Sequence, residues 1–264
     1  TTGDKNTAIG YKALKTEDAH GYNVAVGYQA LETLNAGAAG YNTAIGYNSG
    51  NAMTTGIQCT LLGAGAGDAI TNGHYNTAIG AYALSTEDSG KGNVAVGREA
   101  LKLQDSGADA YNVAVGYQAG TAVTTGLNNT LIGGSAGDAL TTGTRNVALG
   151  YNALSTEDAG GHNVAIGYNA LATQDAGNAY NVAVGASAGT GITSGASNTL
   201  IGGLAGNALT TGAGNVAVGT EALNTEDAHG KNTAVGYHAL KIQNAGADGY
   251  NTAVGYQAGL AINT

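Results

Sequence analysis

The sequence predicts an all-β protein, a parallel β-solenoid of about fifteen short rungs. Three observations predict it. One short motif recurs from end to end, a glycine closes every copy, and the residues inside the motif alternate like a strand. The 264 residues include 46 Gly, no Pro, no Trp, no Phe, one Cys and one Met. This composition lies far from the globular average and calls for a periodic cause.

The motif reads NTAIG, NVAVG or a close variant. It starts at Asn6, Asn23, Asn42, Asn76, Asn93, Asn112, Asn129, Asn146, Asn163, Asn181, Asn198, Asn215, Asn232 and Asn251, and CTLLG fills the remaining slot at Cys59. A period this short is the mark of a solenoid, in which each rung covers the next. Intervals between starts are mostly 17, with 19 after Asn23, Asn93 and Asn232 and 18 after Asn163. The steps from Asn6 to Asn76 and from Asn76 to Asn146 are equal, and the step from Asn146 to Asn215 is one residue shorter. Four rungs therefore form a higher-order unit of about 70 residues. Residues 1–264 read as one continuous array with no separate catalytic domain.

Rung positions are counted here from the asparagine. Positions two and four (Thr7 and Ile9, Val24 and Val26) share one strand face, and the Ala between them takes the other. Short runs rich in Thr, Val and Ile and bounded by Gly give no helical stripe. So many glycines would in any case unsettle helices. Like rungs stack in register about 4.8 Å apart, which turns the position-one asparagines into a ladder of linked amides with Cys59 as its single defect.

The four rung types differ after the strand. Type one carries Thr-Glu-Asp, as at Glu17-Asp18, Glu87-Asp88, Glu157-Asp158 and Glu226-Asp227. Type two is the longer one, with extra residues in an Ala-Gly loop. Types one and two hold Leu at position nine (Leu14, Leu31, Leu84, Leu101, Leu154, Leu171, Leu223, Leu240). Types three and four have Gly there and place bulk at position twelve (Met53, Ile70, Val123, Leu140, Ile192, Leu209, Ile262). Apolar bulk is thus expected to move from position nine to position twelve. The small core suggests that the alanine face needs a second chain to leave water.

Several function classes are disfavoured by the same reading. A net charge of -9 with nine Lys and Arg argues against nucleic acid as a partner. No run of eighteen apolar residues predicts membrane insertion, and no signal-peptide pattern precedes the array. The segment Gly63 to Asp68 resembles a phosphate loop only superficially, because no Lys-Ser/Thr pair follows it and variants recur at Gly133 and Gly202. The acidic pairs are expected to be solvated turns, with calcium binding as the minor alternative. The calcium-binding nonapeptide of β-rolls is absent. His20, His74, His162, His229 and His238 occupy four different rung positions without ligand spacing, so no metal and no cofactor is expected. No unique cluster is expected to break the repeat as an active site would, so the chain reads as a non-enzyme. Tyrosine is the residue in excess: eight at position six and six directly before the asparagine, expected chiefly to pack between rungs and secondarily to face a saccharide or partner.

The wording NTAIGYxAL, present at Asn6 to Leu14 and echoed at Asn23, Asn163 and Asn232, resembles the repeats of phage and bacterial tail-fibre proteins. It is also similar to the head repeats of trimeric autotransporter adhesins. The resemblance covers the whole array and implies a left-handed β-roll, a homotrimeric fibre and an extracellular place on a cell surface or virion. It further implies attachment to a cell-surface glycan or protein receptor. The rungs here are longer than the coil of the adhesin heads, so that family's loop geometry is not carried over. Ice binding is an alternative suggested by stacked Thr, and carbohydrate binding is another. Thr1-Thr2-Gly3 and Ala261 to Thr264 match the repeat without capping it, which predicts a fibre continuing in both directions.

Overall fold

A computed structural model describes residues 4–17, 21–226, 228–243 and 248–262. Thr1 to Gly3, Asp18, His20, Asp227 and Thr264, which carry some of the expectations above, lie outside the described residues. The chain divides into two compact units, residues 1–129 and 130–264. Each is a run of parallel solenoid rungs. The described residues hold fifteen strands, each three residues long, and no helix. Among the described residues no helix is long and apolar enough to cross a membrane.

The first unit contains β1 (Thr7–Ile9), β2 (Val24–Val26), β3 (Thr43–Ile45), β4 (Thr60–Leu62), β5 (Thr77–Ile79), β6 (Val94–Val96) and β7 (Val113–Val115). Successive strands pair in parallel with no slip, so Ala8, Ala25, Ala44, Leu61, Ala78, Ala95 and Ala114 face one another in sequence. The second unit contains β8 (Thr130–Ile132), β9 (Val147–Leu149), β10 (Val164–Ile166), β11 (Val182–Val184), β12 (Thr199–Ile201), β13 (Val216–Val218), β14 (Thr233–Val235) and β15 (Thr252–Val254). Its register runs Leu131, Ala148, Ala165, Ala183, Leu200, Ala217, Ala234, Ala253.

Position three points into the rung. Ala25, Ala44, Leu61, Ala78, Ala148, Ala165 and Leu200 are all fully buried within a single chain. The alanine face therefore needs no second chain, contrary to the expectation. Leu at position nine and the side chain at position twelve cover it from across the rung, with Leu31, Leu84, Leu101, Met53, Ile70 and Leu140 fully buried. Positions two and four instead make the outer face of the sheet, half-buried or exposed in each unit.

Two glycine positions are required by this stacking. A Cβ on Gly133 at position five would lie 2.5 Å from the Gly150 carbonyl oxygen of the next rung, at φ +132°. That region of φ excludes side chains, and the next turn of backbone occupies the space. At position nine the chain is left-handed in every type: Leu101 has φ 48° and Gly50 φ 60°. A leucine accepts that backbone at a cost of about 1 to 2 kcal/mol because its side chain is buried and its N–H meets the next rung, as Leu31 N–H does at Ser49 O, 3.0 Å.

Where position nine is Gly, the space is taken by a neighbour. A Cβ on Gly137 would lie 2.7 Å from Leu131 Cδ2 and 2.8 Å from Leu140 Cδ1. Bulk thus moves partly to position three of the type-four strand (Leu61, Leu131, Leu200), which the sequence reading did not foresee. Position twelve is inward in all four types, not only in the two with aliphatic residues there, because Glu87, Gln104, Glu157 and Gln174 are also fully buried at it.

Candidate functional site

The position-one asparagines sit at the inner edge of the strand, buried from Asn23 to Asn232. Each Oδ1 accepts the backbone N–H of the asparagine in the next rung. In the first unit Asn23 N donates to Asn6 Oδ1 at 2.9 Å, Asn42 N to Asn23 at 3.1 Å and Cys59 N to Asn42 at 2.9 Å. The series resumes from Asn76 to Asn93 at 3.0 Å, to Asn112 at 3.1 Å and to Asn129 at 2.8 Å. In the second unit it runs from Asn146 through Asn163, Asn181, Asn198, Asn215 and Asn232 to Asn251, at 2.8 to 3.1 Å. The Nδ2 usually crosses the rung instead of climbing it: Asn112 Nδ2 donates to Gly126 O at 2.7 Å and Asn146 Nδ2 to Gly160 O at 2.8 Å. Such asparagines tie rung to rung through the oxygen and close their own rung through the nitrogen, whereas the Nδ2 of Asn93, Asn163 and Asn232 is buried without a partner among the described residues. Direct amide-to-amide bonds occur at a few steps, such as Asn42 Nδ2 to Asn23 Oδ1 at 3.2 Å.

Cys59 is buried in the same column. Its Sγ lies 3.5 Å from Gly73 O, where an asparagine nitrogen would donate. Burial pushes the thiol up to about 11, which removes nucleophilic character at neutral pH.

The acidic pairs are not solvated turns. Glu87, Glu157 and Glu226 are fully buried, while Asp88 and Asp158 are exposed. The pair straddles the wall of the rung because adjacent residues in an extended segment point to opposite sides. Gly90 N–H donates to Glu87 Oε1 at 2.6 Å and Gln104 Nε2 to Glu87 Oε2 at 3.0 Å. Asn112 Nδ2 then donates to Gln104 Oε1 at 3.0 Å. The second unit repeats the set with Gly160, Glu157, Gln174 and Asn181 at 2.6, 3.0 and 2.8 Å. Burial raises Glu87 above the ordinary carboxylate range despite the hydrogen bonds from Gly90 and Gln104. Glu226 holds His229 instead, with its Oε1 3.0 Å from Nδ1.

All fifteen tyrosines are exposed, so the packing they make between rungs lies on the surface. Many stack on the surface: Tyr11 on Tyr28 at 5.2 Å, Tyr28 on Tyr47 at 5.3 Å, Tyr22 on Tyr41 at 4.8 Å and Tyr151 on Tyr168 at 5.9 Å. All but Tyr82 form two columns flanking the outer sheet face, since the residue before the asparagine and position six point outward with positions two and four.

A polar groove of about 390 Å³ opens on the loop side of the first unit. Thr55, Asn72, His74, Ser89, Lys91 and Asp109 line it with Gly107 and Ala108. Lys91 Nζ lies 3.4 Å from Asp109 Oδ1, and Tyr111 Oη donates to Asp109 Oδ2 at 3.4 Å. His74 Nδ1 accepts the Ile57 N–H at 3.1 Å. Burial, and then Lys91 nearby, lower the His74 pKa, which keeps the ring neutral with its proton on Nε2.

The sequence reading did not single these residues out as a cluster. A signal was there: rung five reads Ser89-Gly90-Lys91-Gly92 before Asn93, whereas rung nine reads Ala159-Gly160-Gly161-His162 and rung thirteen ends Gly230-Lys231. The glycine and the side-chain residue are exchanged only in rung five, so one local cluster does break the repeat. Among the described residues no group of three or more His, Cys, Asp and Glu could hold a metal ion. Gly63, Gly65 and Gly67 of the apparent phosphate loop occupy left-handed positions of the turn after β4, as their counterparts do in other rungs. Compared with protein-family models, with curated proteins and with solved structures, the chain matches none.

Proposed function

We propose that the chain is a structural shaft segment of an extracellular fibre, built from three identical chains and displayed on a cell surface or virion for attachment. One observation carries the reading. The outer face of the sheet presents Thr or Val at position two and Ile, Val or Leu at position four in every rung, with no charged residue. Ile45, Ile79, Leu149 and Ile201 on it are exposed. An uncharged, largely apolar stripe marks an interaction surface. It repeats at strand spacing, and a second copy of the same chain offers a matching repeat.

The resemblance of the NTAIGYKAL wording to tail-fibre and adhesin repeats supports three copies and surface display. The reading assigns no catalytic step to this chain. Ice binding fits less well, because position two alternates between Thr and Val and position four is always aliphatic.

Light scattering with size-exclusion chromatography at micromolar concentration tests the assembly. The expected mass is three chains, and Val94→Asp together with Val164→Asp is expected to give a folded monomer. A native chain that is monomeric at that concentration overturns the proposal.

A further inference from the structure

The loop-side groove points to a ligand of a different kind from the fibre's own copies. We propose that it binds one residue of a neutral saccharide, with the Lys91–Asp109 pair holding a vicinal diol. The inference stands independently of the fibre reading, since it concerns a separate face of the rung.

The functional groups match a polyol. Thr55 and Ser89 bring hydroxyls, Asn72 brings an amide, and His74 Nε2 brings a donor. Lys91 Nζ and Asp109 Oδ1 are 3.4 Å apart, so adjacent hydroxyls can accept from one and donate to the other. The paired charges cancel, which disfavours a phosphate or a second carboxylate. A volume of about 390 Å³ accommodates one sugar ring.

An aromatic platform stands beside it. Tyr111 is 57% exposed and its hydroxyl is tied to Asp109. Gly92 has no side chain to cover the ring: a Cβ there would lie 2.7 Å from Tyr111 Cδ1. An exposed ring with one polar end suits the C–H face of a sugar.

The local sequence also departs from its counterparts in the residues that build the groove. At the position of Lys91, rungs nine and thirteen have Gly161 and Gly230, whose Cβ atoms would run into the Thr144 and Ala213 carbonyls. Rung five alone places a long cation there and clears the following position. At the position of His74, rungs eight and twelve have Thr144 and Ala213.

Saturation-transfer NMR with the methyl glycosides of galactose, glucose and mannose on the full chain tests the inference, with inorganic phosphate as competitor. At least one glycoside is expected to bind in the millimolar range. Exchange of the pair, Lys91→Gly with Gly92→Lys, is expected to weaken it at least about tenfold, as is Asp109→Asn, which is exposed and leaves the fold intact by circular dichroism. Phosphate is expected not to displace the sugar. The inference is overturned by no transfer to any glycoside, by undiminished binding in folded Asp109→Asn, or by displacement with phosphate. A monomeric chain that still binds sugar would sink the fibre reading and leave this one standing.

Discussion

The Gln104 side chain donates to the Glu87 carboxylate at 3.0 Å from one rung further along, and Gln174 meets Glu157 at the same distance. The bond is buried and directed. Gly90 N–H serves the other carboxylate oxygen, and Asn112 in turn donates to Gln104, so the donors all run toward Glu87. A carboxylate fits this end of the chain because it has acceptors only.

Removing it leaves Gly90 N–H and the Gln104 amide without partners in the interior. Glu87→Ala is expected to cost about 2 to 4 kcal/mol in urea unfolding, whereas Asp88→Ala on the outer side costs less than about 1 kcal/mol. Equal effects would show that the inner and outer members of the pair are wrongly assigned. The sequence alone had suggested that a glutamate at this rung position could be lost almost freely.

The same carboxylate shapes the pH dependence. Its folded pKa is raised by burial, so the folded state holds the proton more tightly than the unfolded chain. Stability from this group therefore rises as pH falls through the folded pKa, and the gain is complete below the ordinary value of 4.5. Glu99 runs the other way: the Gln118 hydrogen bond, with Arg98 and Lys102, lowers it, so its contribution is lost as pH falls through the folded pKa. Urea midpoints should thus increase from neutral to mildly acidic pH and fall at stronger acid. Glu87→Gln should flatten the first limb and keep the second; an unchanged first limb would place its origin elsewhere.

Gly133 and Gly177 separate two costs of a side chain on left-handed backbone. Gly133→Ala drives a Cβ into the next rung and is expected to destabilise by about 3 kcal/mol or more. Gly177, at φ 68°, has nothing within 4 Å of its Cβ, and Gly177→Ala should cost only about 1 kcal/mol. Thermal melts of the two variants decide it, and similar losses would mean that rung spacing does not enforce position five.

Leu131 and Gly137 fill one space between them, with a Gly137 Cβ only 2.7 Å from Leu131 Cδ2. Leu131→Ala alone is expected to cost about 2 to 5 kcal/mol through its cavity. Gly137→Ala alone is overpacked. The double variant should cost clearly less than the sum, and strict additivity in the cycle would refute shared packing.

Cys59 interrupts the asparagine column, so the Asn76 N–H meets the thiol sulfur in place of the side-chain oxygen that serves its counterparts. Cys59→Asn supplies that oxygen and a donor for Gly73 O, and is expected to stabilise by about 1 kcal/mol. In the native chain the thiol should resist iodoacetamide near neutral pH and react on unfolding. Rapid alkylation of the folded chain would contradict its burial.

Much was legible in the sequence because the physics is local. Strand alternation within TAI and VAV, glycine closure and the short period are properties of neighbouring residues, and they define rung and register without knowledge of the whole. Handedness was carried by resemblance alone, whereas the need for partner chains was argued from the small core as well. What the tertiary structure decided was which side of each residue faces in. Alternation says that Ala and Val point apart but not which is covered; only the returning Leu at position nine closes over Ala25 and leaves Val24 outside. The turns after the strand place left-handed residues at positions five, seven and nine, so no simple period tells that Glu87 goes in and Asp88 out. The groove likewise joins His74, Lys91 and Asp109 from three consecutive rungs, a neighbourhood that exists only once the chain has wound back on itself.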